Sequence, residues 1–342
     1  MRDLFDRPLS DLRISVTDRC NLRCRYCMPR EVYGPGFEFL ERAALLSFEE
    51  IVRVARAAAQ LGAHKVRLTG GEPLLRRDIE RLVAMLADTT GVEQIAMTTN
   101  GLLLEGKAEK LAEAGLARVT VSLDSLDDGV LRRMSGAAIS SRRVLSGIDA
   151  AIAAGLQPVK VNMMVRRGVN EQCIVPMAAH FRQRPVVLRF IEYMDVGSSN
   201  GWRPEQVVPA AEIVARLNEQ WPLRALPRRA HGEVATRYRY EDGAGEIGLI
   251  HSVSSPFCAG CTRARISADG QVFTCLFAHR GHDLRAVLRG GASDQELRAR
   301  LQGIWSARAD RYSDERGAAA NAAIAASAAS SAAKVEMSYI GG

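Results

Sequence analysis

The first residues with the types and spacing to do chemistry are Cys20, Cys24 and Cys27, a C-x3-C-x2-C triplet directly after a predicted strand. Three thiolates on one short loop can hold three irons of a [4Fe–4S] cluster and leave the fourth iron open to a small molecule. A zinc site is the alternative, but structural zinc requires four ligands and no further histidine or cysteine lies nearby in the sequence. The spacing therefore favours an iron–sulfur cluster.

A second triplet, Cys258, Cys261 and Cys275, has the spacing C-x2-C-x13-C and again offers three thiolates. Because histidines lie close to it in sequence, a Cys3His zinc site and a second cluster both remain open. The histidines concerned are His251, His279 and His282. The seventh cysteine, Cys173, stands at the start of a predicted helix, and we expect it to be a buried structural thiol.

Short apolar strands alternate with amphipathic helices from about residue 12 to residue 194. Six β-then-α units predict a parallel sheet with right-handed crossovers. Since a closed barrel needs eight units, we predict an α/β fold built on a partial (βα)6 TIM-type barrel, with a C-terminal α+β domain covering its open side. One helix begins at Ser47, which forms a capping box with Glu50. The predicted strands are 12–16, 65–69, 94–98, 118–123, 159–165 and 186–191, and further helices are 78–86, 107–114, 142–154 and 174–181.

Four cations interrupt these apolar strands: Lys65, Arg67, Lys160 and Arg189. The outer face of a barrel strand packs on helices, so the cations are predicted to point into the barrel. Burying unpaired charge is costly, and together the four predict a bound anion. Strand ends that extend their cations to solvent are the alternative.

The pattern changes after residue 194, and we predict three parts: a barrel over residues 1–200, a C-terminal domain over 201–316, and an Ala-rich segment with a Gly-Gly tail over 317–342. The second part has a predicted helix at 210–220 and antiparallel strands at 236–250 and 262–273, followed by helices at 284–288 and 295–307. The Ala-rich stretch 317–333 lacks a large apolar stripe.

The composition bounds the classes of protein. Of 342 residues, 47% are hydrophobic and 25% charged, which excludes wholesale disorder. No apolar run reaches a membrane span of about 18 residues, and the charged first ten residues lack a signal segment, so we expect a cytoplasmic protein without a membrane partner. A net charge of +7 is compatible with nucleic acid, an anionic membrane or a small polyanion.

The first triplet, with Tyr26 inside its second gap, resembles the cluster motif of radical S-adenosylmethionine enzymes. The segment Gly70-Gly71-Glu72-Pro73 resembles the part of that superfamily that holds the methionine amino group. Several further segments resemble the GTP 3′,8-cyclase family, also called molybdenum cofactor biosynthesis protein A, over about residues 4 to 342. These are residues 12–20, 98–101, 122–124, 189–192, 194–197, 261–265 and 311–316, and the final Gly341-Gly342.

The resemblance implies conversion of GTP to (8S)-3′,8-cyclo-7,8-dihydroguanosine 5′-triphosphate, the first step of molybdenum cofactor biosynthesis. It implies two [4Fe–4S] clusters and S-adenosylmethionine as cofactors. The implied partners are a flavodoxin- or ferredoxin-like electron donor and the next enzyme of the pathway, cyclic pyranopterin monophosphate synthase. Both a monomer and a homodimer are compatible with the sequence.

The resemblance also assigns residues. Both cysteine triplets hold clusters. The S-adenosylmethionine site comprises Tyr26, Gly70, Gly71, Glu72, Ser122 and Met194. GTP contacts are expected from Arg13, Lys65, Arg67, Thr98, Lys160, Arg189, Arg263 and Arg265. A catalytic role is expected for Arg13, Arg263, Arg265, Gly341 and Gly342, with the Gly-Gly tail entering the site because it lacks side chains.

Two other classes stay open at this point, beside a redox scaffold that has lost catalysis, against which the complete motif set argues. One is a radical enzyme of the same superfamily that modifies a peptide with the help of an auxiliary cluster. The other is a metal-containing nucleic-acid-binding protein, suggested by the charge. An aromatic content of only 6% and cations on barrel strands argue against nucleic acid.

Overall fold

A computed structural model describes residues 1–230, 232–316 and 334–341. The barrel part alternates six strands with helices, in the order that the sequence predicts. The strands are β1 (Asp11–Ser15), β2 (Lys65–Thr69), β3 (Gln94–Thr99), β4 (Arg118–Ser122), β5 (Val159–Val165) and β6 (Val186–Glu192). The helices are α1 (Phe48–Gln60), α2 (Ile79–Ala87), α3 (Ala108–Glu113), α4 (Asp128–Ser135), α5 (Ser141–Ala153) and α6 (Ile174–Phe181).

The remaining elements follow residue 200. They are helix α7 (Ala210–Asn218), strands β7 (Leu223–Leu226), β8 (Thr236–Tyr240), β9 (Glu246–Ile250), β10 (Arg263–Ile266), β11 (Gln271–Phe273) and β12 (His282–Asp283), and helices α8 (Arg285–Arg289), α9 (Asp294–Ser306) and α10 (Met337–Ile340). Short 3-10 turns include Pro73–Leu75 after β2 and Cys258–Gly260 before β10.

The twelve strands of the described residues belong to one sheet, ordered β12-β11-β10-β1-β2-β3-β4-β5-β6-β9-β8-β7. Strands β1 to β6 are parallel neighbours, as predicted. The sequence did not indicate that β10 pairs in parallel with β1 and β9 in parallel with β6. The later part of the chain therefore extends the barrel sheet at both edges, and the antiparallel pairs β8–β9 and β10–β11 lie outside this parallel core.

Local sequence signals explain most boundaries. The Ser47–Glu50 capping box at the start of α1 is present, with both reciprocal hydrogen bonds formed. Helix α4 was not predicted, because its apolar residues cover only two turns. It starts at Asp127, whose carboxylate accepts from the Val130 amide at 2.7 Å, and it ends at Gly136 with φ +63°. Among the described residues, no helix is long and apolar enough to cross a membrane.

Candidate active site

One cavity of about 340 Å³ is lined by both cysteine triplets. Its walls come mainly from the loops and residues at the carboxyl ends of the parallel strands, together with β10 and the turn before it. The two triplets are more than 230 residues apart in the chain, and the parallel pairing of β10 with β1 brings them to the same space.

The loop that carries the first triplet is fixed to helix α4. The amides of Arg23 and Arg25 donate to the carbonyl oxygens of Ser135 and Met134, at 2.9 and 3.2 Å. All seven cysteines are free thiols, and burial raises the pKa of Cys20 to about 11. A buried thiol with a raised pKa stays protonated on its own. Binding of a cationic iron centre would deprotonate it, because the thiolate is the form that ligates metal.

The donor set also separates a cluster from a single zinc ion. Within the described residues, no three His, Cys, Asp or Glu side chains converge as they would around one metal ion. The corners of a [4Fe–4S] cluster each take their own thiolate, so sulfurs on one loop need not meet at a point. Three cysteines without a fourth ligand fit such a cluster with one open iron.

The end of β2 approaches the first cysteine loop so closely that side chains are excluded. A Cβ on Gly71 would overlap the carbonyl oxygen of Arg19, and a Cβ on Gly70, at φ +145°, would overlap that of Thr17. The Gly71 amide donates to Thr17 at 2.8 Å. Glycine is required here because backbone must pack directly on backbone.

Glu72 is fully buried beside these glycines, and its carboxylate links the segment after β2 to the end of β3. Its carboxylate accepts from the Thr99 hydroxyl at 2.7 Å, from the Asn100 amide at 2.7 Å and from the Leu74 amide at 3.0 Å. Burial nevertheless raises its pKa to about 7. The side chain thus ties β2 to β3, and its oxygens are already engaged within the chain.

Two polar residues near the first triplet were not assigned from the sequence. The Asn100 side-chain oxygen accepts from the Leu102 amide, so its NH2 group faces Asn21, at 2.7 Å, and the Cys20 sulfur, at 4.0 Å. Asp124 accepts from the Tyr26 hydroxyl and from the Met164 amide, both at 2.9 Å. Burial raises the pKa of Asp124 to about 6. The sequence could have pointed to Asn100 and Asp124 through their positions just after β3 and β4, because residues at the carboxyl ends of barrel strands form the active site.

The second triplet lies in a more positive environment. The Arg263 guanidinium donates to the Cys261 sulfur at 3.3 Å. Burial opposes ionisation of Cys261, but Arg263 and Arg308 outweigh it and lower its pKa to about 6. Ionised thiolate is the form that ligates iron, so Cys261 is prepared for that role.

A buried ion-pair network supports this second loop from behind. Asp3 pairs with Arg7 at 2.7 Å and with Arg308 at 3.4 Å, with all three side chains almost fully buried. The guanidinium of Arg7 donates to the Cys258 carbonyl at 3.0 Å, and that of Arg308 donates to the Cys261 carbonyl at 2.8 Å. The N-terminal segment therefore fixes two of the three cysteines, a role that the sequence did not indicate.

The structure brings most of the predicted GTP contacts into the cavity wall. These are Arg13, Arg67, Thr98, Arg189, Arg263 and Arg265. The Nε of Arg13 is buried and has no hydrogen-bond partner among the described residues. Burial and the neighbouring Arg265 lower the pKa of Arg13. An unpartnered buried guanidinium nitrogen fits an anionic ligand.

Two of the predicted cations are not in this wall. Lys65 pairs with Asp11 at 2.6 Å, across the β1–β2 register. Lys160 stands near the start of β5, where Arg189, Arg118, Arg67 and Lys65 surround it. The strand face on which Lys65 and Lys160 lie was predicted correctly. Both lysines, however, lie deeper in the barrel than the residues that line the cavity between the two triplets.

The C-terminal residues 334–341 return to the barrel. The Arg265 guanidinium donates to the Gly341 carbonyl, and the Tyr339 hydroxyl bonds both Asp269 oxygens at 2.7 Å. Asp195 holds Lys334 at 2.7 Å. Residues 317–333 and Gly342 lie outside the described residues, so the predictions made for them are not addressed by the structure.

Of the remaining predicted residues, Tyr26, Gly70, Gly71, Glu72, Ser122 and Met194 all line the cavity. Cys173 is buried at the end of the 3-10 turn Glu171–Cys173, with its sulfur 3.3 Å from the Ser125 hydroxyl. His251 bonds Thr236 at 2.6 Å and the Ser255 carbonyl at 2.8 Å, so its ring nitrogens are both engaged away from the cysteines.

The comparisons with known proteins agree with this site. A model of the Radical SAM superfamily matches residues 14–181, and a model described as Molybdenum Cofactor Synthesis C matches residues 186–314. The fold is shared with Streptococcus suis SuiB bound to S-adenosylmethionine, with a TM-score of 0.59 at 16% identity over 86% of this chain and 68% of that chain. The fold and the first cysteine loop thus define a radical S-adenosylmethionine enzyme.

Curated relatives define the family more narrowly. GTP 3′,8-cyclase of Acidothermus cellulolyticus is 54% identical over 100% of this chain and 99% of the relative. GTP 3′,8-cyclase of Xanthomonas axonopodis pv. citri is 50% identical over 92% of this chain and 94% of the relative. The chain belongs to the GTP 3′,8-cyclase family. The predicted fold class, enzyme class and cofactors, two [4Fe–4S] clusters and S-adenosylmethionine, are confirmed.

Proposed function

We propose that the cavity between the two cysteine triplets performs the GTP 3′,8-cyclase reaction with the residues described above. The observation that supports this proposal most is the meeting of two three-thiol loops and six arginines around one space. Each loop leaves one iron of its cluster open, so one opening can take S-adenosylmethionine and the other the guanine of GTP.

S-adenosylmethionine binds at the first triplet. Its methionine part lies along Gly70, Gly71 and the Glu72 backbone, a segment that the two glycines allow to pack directly against the backbone of the first cysteine loop. Tyr26, Ser122 and Met194 contact the adenosine part. The first cluster, held by Cys20, Cys24 and Cys27, and S-adenosylmethionine would together supply the radical chemistry that removes hydrogen from C3′ of the GTP ribose.

GTP lies between the triplets with its triphosphate toward the barrel cations. Arg67 and Arg189 reach it from the cavity wall, and Lys65 and Lys160 reach it from deeper in the barrel. Guanidinium groups suit phosphate because their planar fork donates two hydrogen bonds at once. Holding both ends of GTP keeps C3′ and guanine C8 at reacting distance, and such positioning is the largest contribution that the protein can make.

Arg13, Arg263 and Arg265 form the wall nearest the second triplet, and Gly341 is bonded to Arg265. We assign them the control of the ring-closing step, in which the C3′ radical attacks C8 and one electron and one proton complete the product. Gly341 reaches this wall at a point where the Cβ of any larger residue would overlap Thr69.

The test is anaerobic reconstitution followed by incubation with GTP, S-adenosylmethionine and dithionite. Roughly eight irons per chain, and 5′-deoxyadenosine formed only when GTP is present, support the proposal. Alanine at Arg13 or Arg265 should abolish the cyclised product while iron content stays unchanged, and Arg224→Ala, on the exposed edge strand β7, is the control. Alanine at Arg263, which donates to the Cys261 sulfur, should abolish the product and lower the iron content as well. A chain that fails to bind GTP would favour the peptide-modifying alternative.

We also propose that the electron comes from a flavodoxin- or ferredoxin-like protein, and that the product passes to cyclic pyranopterin monophosphate synthase. A reducing cytoplasmic setting suits seven free thiols.

A further inference from the structure

We propose that an arginine-lined hollow outside the first cysteine loop docks an acidic one-electron carrier protein. This arginine platform consists of Arg23, Arg25, Arg30 and Arg132, with Glu31 and residues 136–138 completing its lining. The inference rests on the proposed function, because a radical S-adenosylmethionine enzyme must receive an electron at its first cluster.

The platform and the active-site cavity are two faces of the same loop. Cys20, Cys24, Tyr26 and Cys27 line the cavity. Arg23 and Arg25 alternate with them in sequence and line the outer hollow instead. S-adenosylmethionine and GTP use the cavity side, so an electron arriving at the platform crosses only this loop to reach the cluster ligands.

The platform is held in a fixed shape. The Arg23 side chain donates to the carbonyl oxygens of Tyr33 and Cys20, both at 2.8 Å, which locks the loop on itself. Gly136 ends helix α4 against the Arg23 backbone, where any Cβ would overlap the Arg23 carbonyl. Because the surface is already rigid, a partner can bind it without the entropic cost of ordering a flexible loop.

The platform carries an excess of positive charge. Arg25, Arg30 and Arg132 are exposed, and none of them forms an ion pair with another of the described residues. Glu31 is the one acidic residue in the lining, and Asp128 acts on Arg132 from helix α4. Some exposed arginines elsewhere are paired, as Arg81 is with Glu49 at 2.9 Å.

Two exposed apolar side chains stand close to the platform residues in the sequence. Val32 and Phe37, in the segment just after the cysteine loop, are 46% and 37% exposed. A basic surface of this kind fits an acidic partner that binds briefly. Electron-transfer complexes are typically small, below about 1,200 Å² of buried area, and electrostatic attraction raises their association rate. A second copy of this chain, with a net charge of +7, would be repelled.

The test measures reduction of the reconstituted enzyme by stopped flow, with a purified flavodoxin hydroquinone as the probe and dithionite as the small reductant. The Arg30→Glu/Arg132→Glu double variant should reduce the second-order rate constant with flavodoxin at least tenfold at low salt. Its iron content and its dithionite-driven GTP cyclisation should remain those of the wild type. Raising the salt concentration should lower the rate constant for reduction of the wild type by flavodoxin and should hardly change that of the variant.

The control is Arg224→Glu/Arg228→Glu, which reverses two exposed charges near the edge strand β7. The proposal is overturned if this control loses as much rate as the platform variant, or if neither loses any. It is also overturned if the platform variant keeps its rate but turns a dimer into a monomer in sedimentation, or loses binding to a DNA oligonucleotide instead. Failure of the proposed function would be seen separately, as absence of cyclised product when the wild type is reduced with dithionite.

Discussion

Lys160 should take up a proton when GTP binds. Burial, and after it the like charge of neighbouring cations, lowers its pKa to about 7 in the free protein. The cations that face Lys160 are Lys65 and Arg67 from β2, Arg118 from β4 and Arg189 from β6. The nearby acid, Asp11 of β1, is paired with Lys65. A triphosphate placed among them reverses the sign of the local field and raises the pKa of Lys160 again.

The size of the effect follows from linkage. Lysine is charged below its pKa, so above pH 7 the free protein loses the proton that the complex retains. If bound GTP restores the pKa to the ordinary lysine value of about 10.4, the Kd for GTP should increase roughly 15-fold between pH 7 and pH 8.5. At pH 8 the free side chain holds roughly 0.1 proton and the bound one roughly 1, so binding should take up roughly 0.9 proton.

The assay is isothermal titration calorimetry at pH 8 in two buffers of different ionisation enthalpy, which counts the protons taken up. Lys160→Gln should abolish the uptake and flatten the Kd between pH 7 and 8.5. Lys110→Gln, a change of an exposed lysine on α3, should leave both unchanged. The reasoning is refuted if the wild type takes up no proton, or if Lys160→Gln takes up as much as the wild type.

Three further substitutions test other parts of the site. Gly71→Ala should weaken S-adenosylmethionine binding at least tenfold in equilibrium dialysis, because its Cβ would displace the Arg19 carbonyl. Cys275→Ala should reduce the iron content from roughly eight to roughly four per chain in a colorimetric assay. Asp3→Asn should lower the free energy of unfolding by about 3–5 kcal/mol in urea titrations, because Arg7 would keep a buried and uncompensated charge.

Each of these changes has a matched control in the chain. Gly106→Ala adds a Cβ that meets nothing within 4 Å, and S-adenosylmethionine binding should not change. Cys173→Ala removes a buried thiol remote from both triplets and should leave the iron content intact. Asp6→Asn breaks an exposed pair with Arg2, which should cost less than about 1 kcal/mol. If a control matches its partner in effect, the corresponding explanation is wrong.

The sequence determined what depends on neighbours along the chain. The capping box at Ser47 and Glu50 acts within a single turn, so the start of α1 could be predicted. The period of two along a strand was enough to assign Lys65 and Arg67 to one face. The spacing of the first cysteine triplet favoured thiolate ligation of iron, because its three ligands are on one short loop, whereas the spacing of the second triplet left zinc and a cluster both open.

The tertiary structure decided what depends on residues far apart in the chain. The register of β1 against β2 pairs Lys65 with Asp11, and the parallel pairing of β10 with β1 puts Cys261 into the same cavity as Cys20. Sequence spacing does not fix such pairings, because the free energy that selects them comes from burying a shared core rather than from any local preference. For the same reason, the support that Asp3 gives to the second cysteine loop is visible only in the folded chain.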